Sequence, residues 1–276
     1  MGSGPEVHTT VLVPVWNDYV RWLAQAVASV EAQGVPTRVV VVDNASEVPL
    51  PDLPGVSVVT SPRRLTLGAA RNVGLAQVAT PYVVVWDADD TMLPGTLGFL
   101  EIAIRSDPRL AAFGTAIVED PSGHRHRWPR PWVATLVRWP PVFALLDSLW
   151  SLYPTTGATI MRTELARSAG GYSEAESGED WCLGVSLAFR GRVGWSEWPG
   201  RAYRLHPQSV WSRSMTTRDL LRHARVVRHR IRCDPGIAGW ARAALPLIAA
   251  GQYLAVLGHV VLSAGRGARR ARLTRP

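Results

Sequence analysis

The chain has 276 residues, 47% of them apolar, with a formal charge of +8 and two cysteines. This is ample apolar material for one large domain, or a domain with an appendage, and it excludes a low-complexity or disordered chain. All thirty basic residues are arginine, which excludes a lysine-bearing P-loop, Schiff-base chemistry and ordinary pyridoxal-phosphate enzymes, while Cys182 and Cys233 suggest neither a disulfide framework nor a zinc site.

In chain order, Thr10–Val15 is a first apolar strand closed by Trp16, Asn17 and Asp18. Asp18 is placed to cap a helix running to about Gln33, with Val20, Leu23, Val27 and Val30 at helical spacing and Gly34 ending it. Arg38–Asp43 is a second strand that ends on an acid, Val48–Pro54 a proline-rich loop, Val56–Thr60 a third strand and Gly68–Ala79 a helix. The run YVVVWDADD at Tyr82–Asp90 follows, and Pro94 opens a helix toward Ser106. Strands alternating with helical patterns at this spacing predict βαβ units, hence a mostly parallel sheet flanked by helices. Further on, the pattern predicts strands at Leu110–Val118 and Thr155–Arg162, a loop over Glu119–Pro141, a helix over Glu179–Arg190, and two short strands, Val193–Glu197 and Arg201–His206.

The chain is organised around Tyr82–Asp90. A short β-branched and aromatic run reads as a strand buried on both faces. Its acids, Asp87, Asp89 and Asp90, cannot stay ionised and uncompensated in an apolar interior. They belong at the strand's carboxyl end, where open α/β sheets bind their ligands. Acids at alternating positions, with small Ala88 between them, suit a hard divalent cation such as Mg2+ or Mn2+; the structural alternative is a polar turn capping the next helix. Two other strands also end on polar groups, Asn17 with Asp18 and Asp43 with Asn44. In a parallel sheet these ends converge on one crevice. The chain contains no GxGxxG, GxSxG or HExxH, so dinucleotide-binding, serine-hydrolase and zinc-protease readings lack their usual support.

The segments VPVWND, VVVDNAS, GAARNVGL and DADD, in this order, resemble the family 2 glycosyltransferases of GT-A fold, over roughly Thr9 to Ser212. The resemblance implies an α/β GT-A domain over residues 1–212, followed by a helical tail over 213–276. It implies that Pro14, Val15, Asp43, Arg71, Asp87 and Ala88 line a nucleotide-sugar donor, with Asp43 toward the base and Arg71 toward the diphosphate. It places Asp89 on Mg2+ or Mn2+, joined by His206 in YRLHPQS. Trp16 stands where the family more often has tyrosine.

GEDW at Gly178–Trp181 is similar to the family's acidic acceptor-side motif. The implied roles are Asp180 as general base, with Glu179 and Trp181 beside the acceptor; helix capping is the structural alternative for the two acids. The function so implied is an inverting, metal-dependent transfer of a single sugar to a hydroxyl of a lipid-linked or polysaccharide glycan. A sugar nucleotidyltransferase is the enzymatic alternative, and a non-catalytic, membrane-associated interaction module the alternative of another class. The chain has no QxxRW, which processive relatives carry, and this favours single transfer. The basic, aromatic segment Ser122–Trp132 is a further candidate for acceptor contact.

The positive charge belongs to the tail: from Arg213 onward thirteen arginines face only Asp219 and Asp234. Arg218–Arg232 has an apolar helical face of Leu220, Ala224, Val227 and Ile231, with Arg218, Arg222 and Arg225 on the other side. Such a helix can lie on an anionic membrane. Ala243–Gly265 has no charged residue and is long enough to span a bilayer at about 1.5 Å per residue, yet it contains Pro246, Gly251, Gln252, Gly258 and His259. Helices packed on the domain or lying in the interface are therefore expected. Nucleic acid is not an expected partner. The opening MGSGPEVHTT lacks the pattern of a secretory signal, so the expected location is cytoplasmic, peripheral on the inner face of the cell membrane.

Overall fold

The structure, a computed structural model, describes residues 6–127, 131–175, 178–206 and 216–273. Among these residues nine strands form one sheet: β1 (Thr9–Val15), β2 (Thr37–Asp43), β3 (Ser57–Thr60), β4 (Tyr82–Val85), β5 (Thr91–Met92), β6 (Leu110–Glu119), β7 (Arg125–Arg127), β8 (Thr159–Arg162) and β9 (Arg192–Ala202). The order is β3-β2-β1-β4-β8-β6-β9-β5, with β7 paired to β6. β1 is parallel to β2 and β4, β2 to β3, and β6 to β9; β5, β7 and β8 run against their neighbours. Six of the nine strands thus point the same way, and the sheet is mostly parallel.

The helices between the strands are α1 (Val20–Glu31), α2 (Leu67–Gln77), α3 (Thr96–Ser106), α4 (Pro131–Leu136), α5 (Pro140–Leu149), α6 (Thr163–Ser168) and α7 (Glu179–Arg190). β1 is buried along its whole length, because both faces of the sheet are covered. Val11, Val13, Val41 and Val84 pack against Leu23 and Val27 of α1 and Leu97 and Leu100 of α3. Leu12, Val40, Val83 and Val85 point the other way, into a core with Leu75 of α2, Phe143 of α5 and Leu183 and Leu187 of α7. Full burial of a side chain of this size is worth about 1.5–3 kcal/mol, which fixes the strand register and with it the position of the strand ends.

Several local expectations shift. Asp18 does not cap α1; it lies in a 3-10 turn, Asn17–Tyr19, and Tyr19 occupies the cap position. α2 is instead capped by Thr66, whose Oγ1 accepts from the Ala69 N–H. The stretch expected as a loop over Glu119–Pro141 holds β7 and α4. In place of the two short late strands there is one, β9, which passes Pro199 and Gly200 at bulges against β6 and ends at Ala202, so that 203–206 of the expected Arg201–His206 is not strand.

At the C-terminus come α8 (Thr217–Cys233), α9 (Gly239–Ala243) and α10 (Leu245–Leu273). The expected boundary between 212 and 213 lies outside the described residues. α8 opens with a capping box between Thr216 and Asp219. Its apolar face is spent inside the molecule, where Val227 and Ile231 join Trp181, Cys182 and Val185 of α7. Asp234 secures this packing: it accepts from Ser186 Oγ at 2.8 Å and pairs with Arg190. Among the described residues no helix is long and apolar enough to cross a membrane.

Candidate active site

The parallel register brings the polar strand ends to one edge of the sheet. Val15 at the end of β1 lies beside Asp43 at the end of β2, and Leu12 of β1 pairs with Val85 just before the acidic turn. The loops are tied across this edge. The Asn44 N–H donates to the Val15 carbonyl at 2.9 Å, the Ser46 N–H to Asp43 Oδ1 at 2.9 Å, and the Glu47 N–H to Asn17 Oδ1 at 2.8 Å. Pro14 and Val15 are buried beneath this junction. The ring of Trp16 lies against the Arg64 guanidinium from the loop after β3.

The turn after β4 is held by the far end of β9. Arg201 donates to Asp87 Oδ2 at 3.0 Å and also pairs with Asp90. The Arg204 N–H donates to Asp90 Oδ1 and its Nε to the Asp89 carbonyl, both at 2.9 Å. His206 Nε2 stands 2.8 Å from Asp89 Oδ2, and its ring packs against Tyr19 and Trp22. Ala88 is buried between the acids. Gly157 makes room for this arrangement: it sits at φ +73°, and a Cβ there would fall 2.3 Å from Arg201 Nη1. Burial raises the Asp90 carboxyl to about 7 against the opposing pull of Arg201.

Arg71 in α2 joins this turn to the acidic start of α7. Its Nη2 donates to Asp87 Oδ1 at 3.1 Å and its Nη1 to Glu179 Oε1 at 2.8 Å, with only 4% of the side chain exposed. Gly178, at φ +78°, turns the chain into α7. Asp180 follows Glu179, and its Oδ1 accepts from the Trp181 N–H at 2.7 Å. Burial first, and then the neighbouring Glu179, push the Asp180 carboxyl up to about 6, against the pull of Arg71. Thr155 Oγ1 donates to the Asp180 carbonyl at 3.0 Å, and Trp181 Nε1 to the Asp147 carbonyl. A surface depression bounded by Arg109, Phe189, Arg190 and Trp240 lies at the opposite edge of the sheet, where β6 and β9 begin, and has no acid in its lining.

The glycosyl transferase family 2 model matches residues 10–166, more than half of the chain. The chain belongs to this family. No curated protein matches this chain significantly. Its fold is that of S. aureus TarS. Residues 1–349 of TarS in complex with UDP-GlcNAc superpose with a TM-score of 0.64 at 17% identity, covering 89% of this chain and 71% of that one. The same TarS fragment in complex with UDP gives 0.61 at 18% identity, covering 89% and 70%. A further structure of S. aureus TarS also gives 0.61 at 17% identity, covering 89% of this chain and 43% of that one.

In this family 2 chain, strand ends legible in the sequence are joined by side chains that were not. Arg201 and Arg204 meet the acidic turn from more than a hundred residues away, and nothing in their own segment marks them. Arg71 was expected beside the diphosphate, yet here its charge is already met by two carboxylates. For Mg2+ or Mn2+ the donor set is small: among the described residues no three His, Cys, Asp or Glu groups converge on one cation position. A cation that takes substrate phosphates and water as its remaining ligands needs only one or two protein donors. Asp89 and His206, with donor atoms already 2.8 Å apart, fit that requirement, and an imidazole nitrogen suits Mn2+ better than Mg2+. Of the segment Ser122–Trp132, residues 128–130 lie outside the described residues; residues 122–127 belong to the β6–β7 hairpin, in which Asp120 accepts from Ser122 and contacts His126, and Pro131 and Trp132 open α4.

Proposed function

We propose that this family 2 glycosyltransferase moves one sugar from a nucleoside diphosphate donor to a hydroxyl of a lipid-linked or polysaccharide glycan, with inversion at the anomeric carbon. The observation that carries the reading is the Arg71 bridge. One buried guanidinium grips the acid that ends β4 and the acid that opens α7, so a donor-side turn and a base face the same rim. The complexes of TarS with UDP-GlcNAc and UDP support a donor of the UDP-sugar kind.

Asp180 is the general base. A carboxyl poised near 6 is ionised at neutral pH yet still basic enough to take a hydroxyl proton. As the proton moves to Asp180, the acceptor oxygen forms its bond to the anomeric carbon. The bond to the diphosphate oxygen breaks, and that oxygen leaves with the electron pair. Asp87 and Asp90 are engaged by Arg201 and Asp89 by His206, so none is placed as a nucleophile for a covalent sugar intermediate; this supports a single displacement and hence inversion. Asp89 and His206 would hold Mg2+ or Mn2+, which when bound offsets the charge growing on the leaving diphosphate. Asp43, Pro14, Val15 and Trp16 form the wall for the nucleoside.

A panel of UDP-, GDP- and dTDP-sugars, each with and without Mn2+, tests this through thermal unfolding. A donor at a hundred times its Kd adds about 2.7 kcal/mol of stability. One base series should raise the unfolding temperature, more so with Mn2+, and turnover should release nucleoside diphosphate rather than pyrophosphate. A shift indifferent to EDTA removes the metal assignment, and a panel with no shift at all removes the donor site.

A further inference from the structure

Helix α10 is turned inside out on one side. Its inner face is ordinary: Ile248, Gln252 and Val256 are buried, Gln252 Nε2 donates to the Ser148 carbonyl at 2.8 Å, and Gly251 packs close to Leu149 of α5. The outer face, at the same 3.6-residue period, carries Leu247 (77% exposed), Leu254 (69%), Leu257 (59%) and Val261 (61%). These four positions run along one stripe for about 21 Å at 1.5 Å per residue. A soluble helix normally turns polar residues outward. A continuous exposed apolar stripe marks a surface that something else covers.

Charge decides what covers it. The exposed side of α8, the helix packed beside α10, presents Arg218, Arg222, Arg225 and Arg232. Two aspartates accompany them in the tail: Asp219, in the capping box and attracting Arg222, and Asp234, bound to Arg190. Beyond the stripe, α10 continues through Arg266, Arg269, Arg270 and Arg272. A second copy of this chain docked on the stripe would bring two arginine-rich segments together. An anionic lipid surface meets both features at once, taking the leucines into the acyl boundary and the arginines at the headgroups. Trp240, at the start of this helical unit, is half exposed, in keeping with the preference of indole for that boundary.

We propose that the outer face of α10 is a docking surface for an anionic bilayer, with the helix lying in the interface rather than crossing it. The apolar face of α8, which the sequence marks for this role, is buried against α7 and cannot serve. The proposal is independent of the transfer chemistry, because vesicle binding is read without turnover.

The full chain is mixed with phosphatidylcholine vesicles, with and without 30% phosphatidylglycerol, and with the latter at low and high NaCl. Binding should require phosphatidylglycerol and weaken several-fold with salt, since exposed charges are screened within about 10 Å at 0.1 M. Leu254→Glu with Leu257→Glu should lower vesicle affinity about tenfold or more while leaving the unfolding temperature and donor binding unchanged, because both positions are exposed. Failure to bind the anionic vesicles, or equal binding by the double variant, overturns the proposal. So does a dimer in sedimentation that the same double variant dissociates, which would assign the stripe to a second copy.

Discussion

The two sides of the proposed site, the acidic turn after β4 as donor side and the start of α7 as acceptor side, are built by opposite means. On the donor side every acid of the turn after β4 has a side-chain partner brought from β9 or just beyond it: Arg201 on Asp87 and Asp90, and His206 on Asp89. On the acceptor side Asp180 has no ion-pair partner among the described residues, and its carboxylate accepts from the N–H of its own neighbour. Arg71 attracts it through space but forms its ion pair with the neighbouring Glu179. Burial raises a carboxyl on both sides, Asp90 to about 7 and Asp180 to about 6, but a carboxylate gripped by a guanidinium is held in place, whereas one without such a grip can meet an incoming proton. The difference separates acids held by side-chain partners from one held by its own backbone.

The strongest test of that division removes the proton acceptor. Asp180→Asn should lower turnover by roughly 10²–10⁴, with donor-induced stabilisation retained. In the unmodified protein, turnover should rise with pH through about 6, where the Asp180 carboxyl ionises, and level off above it. Near-normal turnover in the variant, or an acid limb unchanged by it, would place the base elsewhere and erase the contrast between the two sides.

Next in size is the loss of the bridge. Arg71→Met keeps the length of the side chain and leaves Asp87 and Glu179 without their shared cation. Breaking a buried pair from one end costs about 3–5 kcal/mol, and the low exposure of this guanidinium puts it toward that range. Denaturant unfolding should show the loss, and Arg71→Lys should recover only part of it, since one ammonium does not reproduce the guanidinium fork. A variant as stable as the parent would mean that the two sides stand independently.

This division also explains what the sequence discloses. The ends of β1, β2 and β4 are legible because strands buried on both faces are continuous apolar runs, and the acids that stop them stand out. The start of α7 is legible because Glu179 and Asp180 sit where a helix dipole favours them. What holds the acids is another matter. Arg201 lies 114 residues from Asp87 in the chain, and only the sheet order, with β9 reaching β5 beside the turn, brings it there. β9 itself is disguised, because Pro199 and Gly200 look like a break. Proline is tolerated at a bulge, and Gly200 is needed because a Cβ would fall 2.5 Å from Thr115 Oγ1. α5 escapes notice for a related reason: Pro140 and Pro141 suggest a loop, yet proline is well placed in a helix's first turn. The outer face of α10 is hidden in the same way, since an apolar run does not say which of its faces is buried.

The smallest effect probes the foundation of the acceptor side. Asp147 of α5 is fully buried; its Oδ1 accepts from the Leu152 and Tyr153 N–H groups, and its carbonyl accepts from the indole of Trp181, next to the base. Its Oδ2 has no hydrogen-bond partner among the described residues. Burial pushes this carboxyl up to about 8, against an ordinary value near 3.9 in the unfolded chain. Between these two values the folded protein carries a proton that the unfolded chain has released. Stability from this group is therefore complete below about pH 4 and is lost progressively as pH rises toward 8. Asp147→Asn removes the titration while keeping an oxygen for the two N–H donors. The stability difference between parent and variant should accordingly move in the variant's favour from pH 5 to pH 8, with turnover changed little at neutral pH. If urea unfolding of the two proteins follows parallel pH profiles, Asp147 is not the buried acid that supports Trp181, and the acceptor side takes its geometry from Thr155 and Arg71 alone.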